Sequence, residues 1–340
     1  MTDRIEMLWP ALVPDHPVLV GLAPVSESRF HTVWKAVTAD GRVFAVKHHL
    51  FAALPRGKPY DLIATDVRVT ALLRAAGVSV PEVMAANAGD GLTVYRWSGE
   101  ETLDDHCQQP DAMPVADKVL DLLVGLASTF ERHKADLATR VAPGGRPDEV
   151  LASFADLTEP IGAFLPDLIH QLTGVRPPDA PEHWDAILGI IHAAPLALGP
   201  TDYNARNIVL SDALKPSVLE CAKIGYDWPE RRIIQYTTSP GAHLPNGRMI
   251  GLLSPAHAGL WAEQSAAFRS ESAGQILAHY DRHHFIFHVL AACQALRGEH
   301  PNVGGPWQNN RARLTDIAAA LSTPFSNCAH TDALRSHFHT

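Results

Sequence analysis

The residues best suited to chemistry lie in one short segment, Asp202 to Asn207, which an apolar Ile-Val-Leu run follows at once. Phosphoryl transfer needs a carboxylate that positions the acceptor hydroxyl and an oxygen ligand that holds Mg²⁺. Asp202 can supply the carboxylate, and Asn207, five positions later, can supply an amide oxygen. We therefore predict a catalytic role for Asp202 and a metal-binding role for Asn207, if the other parts of such a site occur elsewhere in the chain.

A lysine at the end of a predicted strand supplies a second part. Phe30 to Val37 is rich in β-branched and aromatic residues, which favour a strand, and Asp40-Gly41 is typical of a hairpin turn. The run Val43 to Lys47 then predicts a second strand. A lysine on a rigid strand can reach nucleotide phosphates, as in the Val-x-x-Lys pattern of kinases. An edge strand with a solvated lysine is the alternative that this segment leaves open.

A helix is predicted from about Tyr60 to Ala76, because apolar residues recur there at helical spacing. Asp66 is the acid of this helix best placed to pair with Lys47. Leu92 to Trp97 predicts a further strand.

In their order along the chain, these segments resemble the aminoglycoside phosphotransferase and choline kinase group, a branch of the protein-kinase-like fold. The resemblance runs from about Val18 to Ala295 and rests on Val43 to Lys47, Gly77 to Pro81, Tyr95 to Glu100, Asp202 to Asn207, and Val218 to Asp227. It implies an α+β fold with two lobes. Residues 1–97 would form a small antiparallel-sheet lobe that covers a nucleotide, and residues 98–340 a larger, mostly helical lobe with the catalytic loop and the acceptor pocket.

The resemblance also implies the roles of individual residues. ATP with Mg²⁺ would be the phosphoryl donor, and Asp202 would accept or orient the proton of the acceptor hydroxyl. The remaining implied contacts are Lys47 and Ser28 with the phosphates, Asp66 with Lys47, the backbone of Tyr95, Arg96 and Trp97 with adenine, and Asn207 and Glu220 with the metal. The implied function is phosphoryl transfer from ATP to a hydroxyl of a small molecule, a cationic one being one option, or of a peptide Ser or Thr.

Three departures from the family pattern favour a second hypothesis. Pro200-Thr201 stands where the family usually has His-Gly, Glu220 stands where a shorter Asp is usual, and the turn Pro24 to Arg29 contains no glycine. Backbone N–H groups approach phosphates best where no Cβ intervenes. The alternative is a kinase-like pseudoenzyme that serves as a binding or scaffold protein.

Two other segments also leave alternatives open. Pro229 suits the first turn of a helix, after which Arg231 and Arg232 could clamp a phosphate or a carboxylate. One of these arginines could instead anchor the catalytic loop by pairing with Asp227 or another acid. The segment His279 to His288 contains two i, i+4 histidine pairs, which could hold zinc on a helix or be packed or surface residues.

Composition limits the partners of the protein. A formal net charge of −9 argues against general nucleic-acid binding and is compatible with a cationic acceptor. The four cysteines show no paired spacing, which predicts reduced thiols and a cytoplasmic protein. Met1 to Glu6 lacks the layout of a signal peptide. No apolar run approaches the roughly 20 residues that span a membrane, so we expect no membrane partner.

Overall fold

An antiparallel sheet forms near the start of the chain, and along two of its strands buried side chains alternate with half-buried ones. The computed structural model describes residues 1–13, 15, 17–25, 32–50, 57–241, 244, 246–297 and 310–338. The sheet has strands β1 (Leu19–Pro24), β2 (Val33–Thr38), β3 (Val43–His48), β4 (Val83–Asn87) and β5 (Leu92–Arg96), in the order β1-β2-β3-β5-β4. Helix α1 (Thr2–Leu12) covers one face, where Trp9 packs edge-on against Phe44. Helix α2 (Leu62–Ala75) follows β3 in sequence.

The predicted elements of this part are confirmed, with small shifts at their ends. The predicted strand from Phe30 begins at Val33, and the strand that carries Lys47 ends one residue later, at His48. The predicted helix from Tyr60 begins at Leu62, because Asp61 caps it by accepting hydrogen bonds from two backbone N–H groups of the first turn. Residues 26–31, which include Ser28 and most of the glycine-free turn, lie outside the described residues.

The chain beyond the sheet is mainly helical. Its helices are α3 (Leu103–Cys107), α4 (Ala116–Arg132), α5 (Lys134–Leu137), α6 (Pro147–Thr173), α7 (Ala180–His192), α8 (Pro229–Tyr236), α9 (Pro255–Ala266), α10 (Ala273–Arg297), α11 (Asn310–Ser322) and α12 (Ala329–Arg335). Short 3₁₀ helices cover Ala138–Arg140, Ala205–Asn207 and Ser336–Phe338. None of the helices in the described part is both long and apolar enough to cross a membrane.

Short antiparallel strand pairs hold the predicted catalytic segment. The strands are β6 (Glu101–Thr102), β7 (Ala197–Pro200), β8 (Ile208–Leu210), β9 (Pro216–Val218), β10 (Ile224–Asp227), β11 (Thr238–Ser239) and β12 (Ile250–Gly251). Strand β7 pairs with β10, and β8 pairs with both β6 and β9. The loop 201–207 leaves β7 and enters β8, while the loop 219–223 leaves β9 and enters β10. The strand before the first loop pairs with the strand after the second, and the strand after the first loop pairs with the strand before the second. The two loops therefore lie side by side.

The histidine-rich segment lies on α10 and is packed into the helical core. His283, His284 and His288 are all buried. The ring of His283 lies 5.2 Å from that of Trp228, and the ring of His284 lies 4.5 Å from that of Phe325. This confirms the interpretation of these three histidines as packed residues. Within the described ranges, no group of three or more His, Cys, Asp or Glu side chains is placed to hold a metal ion.

Candidate active site

A cleft of about 520 Å³ lies between the N-terminal sheet and the two adjacent loops. The predicted site residues that line it are Lys47, Tyr95, Arg96, Trp97, Asp202, Asn207 and Glu220. Asp66 is 1% exposed and does not line the cleft. The fold thus brings together residues from β3, from the end of β5 and from both loops, which are far apart in the sequence.

Lys47 forms its ion pair with Glu220, which lies 173 positions away along the chain. The Nζ of Lys47 donates directly to Oε1 of Glu220, and the lysine side chain is largely buried. Burial alone would lower the pKa of Lys47, but the charges of Glu220 and Asp66 outweigh it and the pKa is raised. The lysine is therefore held in its charged form at the centre of the cleft.

The structure differs here from the predicted pairing of Asp66 with Lys47. The Asp66 carboxylate instead accepts a hydrogen bond from the Tyr95 hydroxyl, and the Thr70 hydroxyl donates to it at 3.5 Å. Burial raises the pKa of Asp66 to about 6, against the opposing effects of Lys47 and the Tyr95 hydrogen bond. Asp66 acts on Lys47 through its charge, while Glu220 makes the contact.

Asp202 and Asn207 hold each other in position within the catalytic segment. The side-chain amide nitrogen of Asn207 donates to the backbone carbonyl of Asp202 at 2.8 Å. The amide of Asn204 donates to the Asp202 carboxylate at 2.9 Å. Desolvation by the cleft wall and the charge of Glu220 raise the pKa of Asp202, although the residue is exposed, so it is a stronger base than an ordinary aspartate.

The predicted adenine contacts need a correction at two backbone N–H groups. The N–H of Arg96 donates to the carbonyl of Glu82 at 2.8 Å, and that of Trp97 donates to the carbonyl of Val43 at 3.2 Å. The sheet has therefore already used both donors. The backbone next along the cleft wall is the turn 98–100. Its central Gly99 has φ of 151°, and a Cβ there would lie 2.2 Å from a backbone carbonyl oxygen, so only glycine fits.

Arg232 connects strand β7, which leads into the predicted catalytic loop, to its pairing partner β10. Its guanidinium is buried and donates to the carbonyl of Pro200 at 3.1 Å and to that of Gly225 at 2.8 Å. Pro200 ends β7 and Gly225 lies in β10, so one side chain bridges the backbone of both strands. Proline at position 200, where the family usually has His, thus still contributes an anchored carbonyl.

Asp227 links helix α8 to the loop 201–207, the predicted catalytic loop. Arg231 pairs with its carboxylate at 3.0 Å, and the hydroxyl of Tyr203 also donates to it. Pro229 occupies the first turn of α8, as predicted. The alternative in which one arginine anchors the loop by pairing with Asp227 is therefore confirmed, and Arg231 is that arginine.

Sequence reasoning missed two residues that the structure places at the cleft. Asn204 lines the cleft and contacts the Asp202 carboxylate. Arg206 also lines it, and its side chain is exposed and has no ion pair among the described residues. Both lie inside the segment whose ends, Asp202 and Asn207, carried the prediction. A search for a cation near the predicted metal ligands would have found Arg206.

Comparison with known proteins bears on the fold. No family model and no curated protein matches the sequence. Among solved structures, macrolide 2'-phosphotransferase MphH from Brachybacterium faecium is similar at 13% identity, over 100% of this chain and 98% of that one, with a TM-score of 0.54. A choline/ethanolamine kinase family protein from Mesorhizobium loti is similar at 14% identity, over 98% of this chain and 99% of that one, with a TM-score of 0.48.

The likeness to the macrolide phosphotransferase covers nearly the full length of both chains. At this level of identity it shows the fold. It confirms the predicted α+β, two-lobed protein-kinase-like fold, with its small antiparallel sheet and its larger helical part.

Proposed function

We propose that the protein transfers the γ-phosphoryl group of ATP to a hydroxyl group of a small molecule. The observation that supports this is the convergence of Lys47 with Asp202, Asn207 and Glu220 in one cleft. These residues are a cation for phosphates, a carboxylate for the acceptor proton and two oxygen ligands for a metal, which are the groups that phosphoryl transfer requires. The N-terminal lobe, residues 1–97, would cover the nucleotide.

The residues of the cleft fit Mg²⁺. Magnesium is usually held by one or two carboxylates and by substrate phosphates, and it prefers oxygen ligands. Because the amide nitrogen of Asn207 is bound to the Asp202 carbonyl, its amide oxygen is the atom left to face a metal. Glu220 offers a carboxylate beside it. When bound, Mg²⁺ neutralises negative charge on the phosphate oxygens.

The protein's own side chains divide the remaining work. Lys47 would bind phosphate oxygens and share its charge between the nucleotide and Glu220. Asp202 would receive the proton of the acceptor hydroxyl, held for this by the hydrogen bond from Asn204. Arg206 would supply a second cation to the phosphates. Catalysis of this kind rests on positioning and on charge stabilisation, which the anchored loops provide.

ATP binding tests the proposal. Calorimetry on the whole chain should show binding that requires Mg²⁺ and is lost in Lys47→Met, while Lys58→Met, at an exposed lysine outside the cleft, should bind like the wild type. Asp202→Asn should bind ATP within about threefold of the wild type and lose at least about 100-fold in ATP turnover, since general base catalysis contributes about 10²–10⁴-fold.

One observation favours the second candidate, a kinase-like pseudoenzyme that binds without transferring phosphate. The Lys47–Glu220 ion pair neutralises the phosphate-binding cation and the metal-binding carboxylate with each other. If this pair persists with nucleotide present, ATP binding will be absent or indifferent to both Mg²⁺ and Lys47→Met. That result would reject the phosphotransferase proposal.

A further inference from the structure

A second cavity, of about 180 Å³, adjoins the cleft through the catalytic loop. Asn204 lines both spaces and donates to the Asp202 carboxylate. The rest of the wall comes from helices α6, α8 and α10 and from the segment around Thr238 to Met249. A molecule seated in this cavity would therefore be next to the predicted proton acceptor. Its volume suits a small molecule or one end of a larger one, since about 10–15 Å³ of such space holds one water molecule.

The wall of this cavity is apolar with a few uncharged polar groups. The apolar part includes Phe154, Ile286 and Leu290, and the polar part includes Gln235 and Gln294. None of the described residues that line it is an Asp or a Glu. A cation moved from water into such a space would lose its hydration without gaining a carboxylate partner, which is unfavourable.

The charged side chain of the described wall is Arg231. Its guanidinium pairs with Asp227 at 3.0 Å and lies 5.5 Å from the ring centre of Phe154. Because the carboxylate of Asp227 compensates the charge of Arg231, the cavity faces a cation that is already neutralised. A positively charged ligand would find no carboxylate of the described wall to pair with, and a negatively charged one would compete with Asp227 for Arg231.

His283 is a buried polar residue of this wall, and one of its ring nitrogens lacks a hydrogen-bond partner among the described residues. The residue is 2% exposed, lines the cavity, and its Nε2 has no hydrogen-bond partner within the described part of the chain. Burial holds the pKa of His283 well below its usual range, and the charge of Arg231 lowers it further, so the ring is neutral. A buried polar atom without a partner destabilises the protein, and a hydroxyl or carbonyl group of a ligand would supply the missing hydrogen bond.

Given the proposed phosphotransferase function, on which this inference rests, we propose that the cavity binds the body of the acceptor. The acceptor is an uncharged alcohol with an apolar body, and His283 Nε2 forms a hydrogen bond with a polar group of that molecule. His283 is then a specificity-determining residue. The net charge of the sequence is compatible with a cationic acceptor, but the residues of the cavity wall disfavour one.

A matched pair of probes tests the charge preference. Benzene-para-dimethanol and para-aminomethyl benzyl alcohol differ only in one terminal group, a hydroxyl in the first and a protonated amine in the second. Calorimetry on the whole chain, with a non-hydrolysable ATP analogue and Mg²⁺ present, should show the diol binding at least tenfold more tightly than the amine. Equal or tighter binding of the amine, or no binding of either probe at millimolar concentration, would overturn the inference.

Two histidine variants test the role of Nε2. His283→Phe keeps an aromatic ring against Trp228 and removes the nitrogen, so it should weaken diol binding about 3- to 10-fold, the share of one hydrogen bond. His284→Phe is the control, because His284 is also buried on the same helix, also has an unpartnered ring nitrogen among the described residues, and lies outside the cavity wall. Its diol affinity should equal that of the wild type.

The outcomes separate the inference from the function on which it rests. Unchanged diol binding in His283→Phe, with both variants folded as judged by thermal unfolding, would remove His283 from the site. If the wild type shows no Mg²⁺-dependent ATP binding but still prefers the diol, the proposed function is rejected, while the inferred ligand preference of the cavity is retained. ATP turnover together with a reversed probe preference would reject the inference alone.

Discussion

Replacing Asp66 by Asn should stabilise the protein at neutral pH, and the gain should vanish in acid. Asp66 is 1% exposed on α2, where it accepts hydrogen bonds from Tyr95 and Thr70. Its neighbours do not fully compensate its charge, and burial raises its pKa from an ordinary 3.8 to about 6. Asparagine has nearly the same shape and carries no charge at any pH. Its amide oxygen can accept the hydrogen bond from Tyr95, and its NH₂ group then takes the place of the oxygen that contacts Thr70, whose hydroxyl can accept a hydrogen bond instead.

The size and the sign of the effect follow from the raised pKa of Asp66. Between about pH 4 and pH 6 the folded protein keeps a proton on this carboxyl that the unfolded chain has already lost. The free energy of unfolding therefore falls as the pH rises through this window, and the full cost is present above it. A shift of about two pH units corresponds to about 3 kcal/mol, at 1.36 kcal/mol for each unit. Asp66→Asn should thus match the wild type near pH 4 and exceed it by about 3 kcal/mol at pH 7.5.

Urea unfolding of both proteins at a series of pH values is the assay, because the difference between them removes the contribution of every other titrating group that the substitution leaves unchanged. Tyr95→Phe is a second test: it deletes the hydrogen bond that favours the charged carboxylate, so the fall in stability should move to higher pH. A constant difference between Asp66→Asn and the wild type from pH 4 to pH 7.5 would refute the reasoning, since it would show that Asp66 keeps the same charge in both states.

Three further outcomes are expected. Glu220→Gln should abolish the Mg²⁺ dependence of ATP binding in calorimetry while Glu220→Asp keeps it, because the amide lacks charge; equal behaviour of the two would remove this residue from the metal site. Arg269→Met should lower the free energy of unfolding at pH 7.5 by about 3 kcal/mol, since it leaves Glu230, 1% exposed and paired at 2.7 Å, without a counter-charge; an unchanged urea midpoint would contradict this. Gly225→Ala should cost about 1–3 kcal/mol, because its Cβ would lie 2.7 Å from the Cα of Gly145; thermal unfolding at the wild-type temperature would show that the backbone yields freely.

Local sequence patterns were sufficient to predict the strands and the helix of the N-terminal sheet region, and the two residues that end the predicted catalytic segment. The strand that ends near Lys47 and the helix that carries Asp66 depend on side-chain periodicity within a few residues, and both occur close to the predicted positions. The Asp-x-x-x-x-Asn spacing also survives folding, because the 3₁₀ turn between its ends brings Asn207 back to the Asp202 carbonyl. Chemistry that depends on short-range geometry can be predicted from the chain alone.

Contacts between distant segments were decided only by the tertiary structure. The partner of Lys47 is Glu220 because the antiparallel pairing of β7 with β10 and of β8 with β9 sets two loops side by side beneath the sheet. Asp66 has the right charge and lies on the expected helix, but its carboxylate contacts Tyr95 from the neighbouring strand.

The tertiary structure also decided which backbone N–H groups are available and where the proposed acceptor cavity lies. Whether the N–H of Trp97 is available to adenine depends on the register of β5 against β3, which places it opposite the Val43 carbonyl. The cavity beside Asn204 exists only because three helices from distant parts of the chain pack around it, and His283 faces it through that packing. The sequence by itself determined which chemical groups are present and on which elements they lie; the tertiary structure decided which of them meet, because burial and strand register act between residues that no local pattern connects.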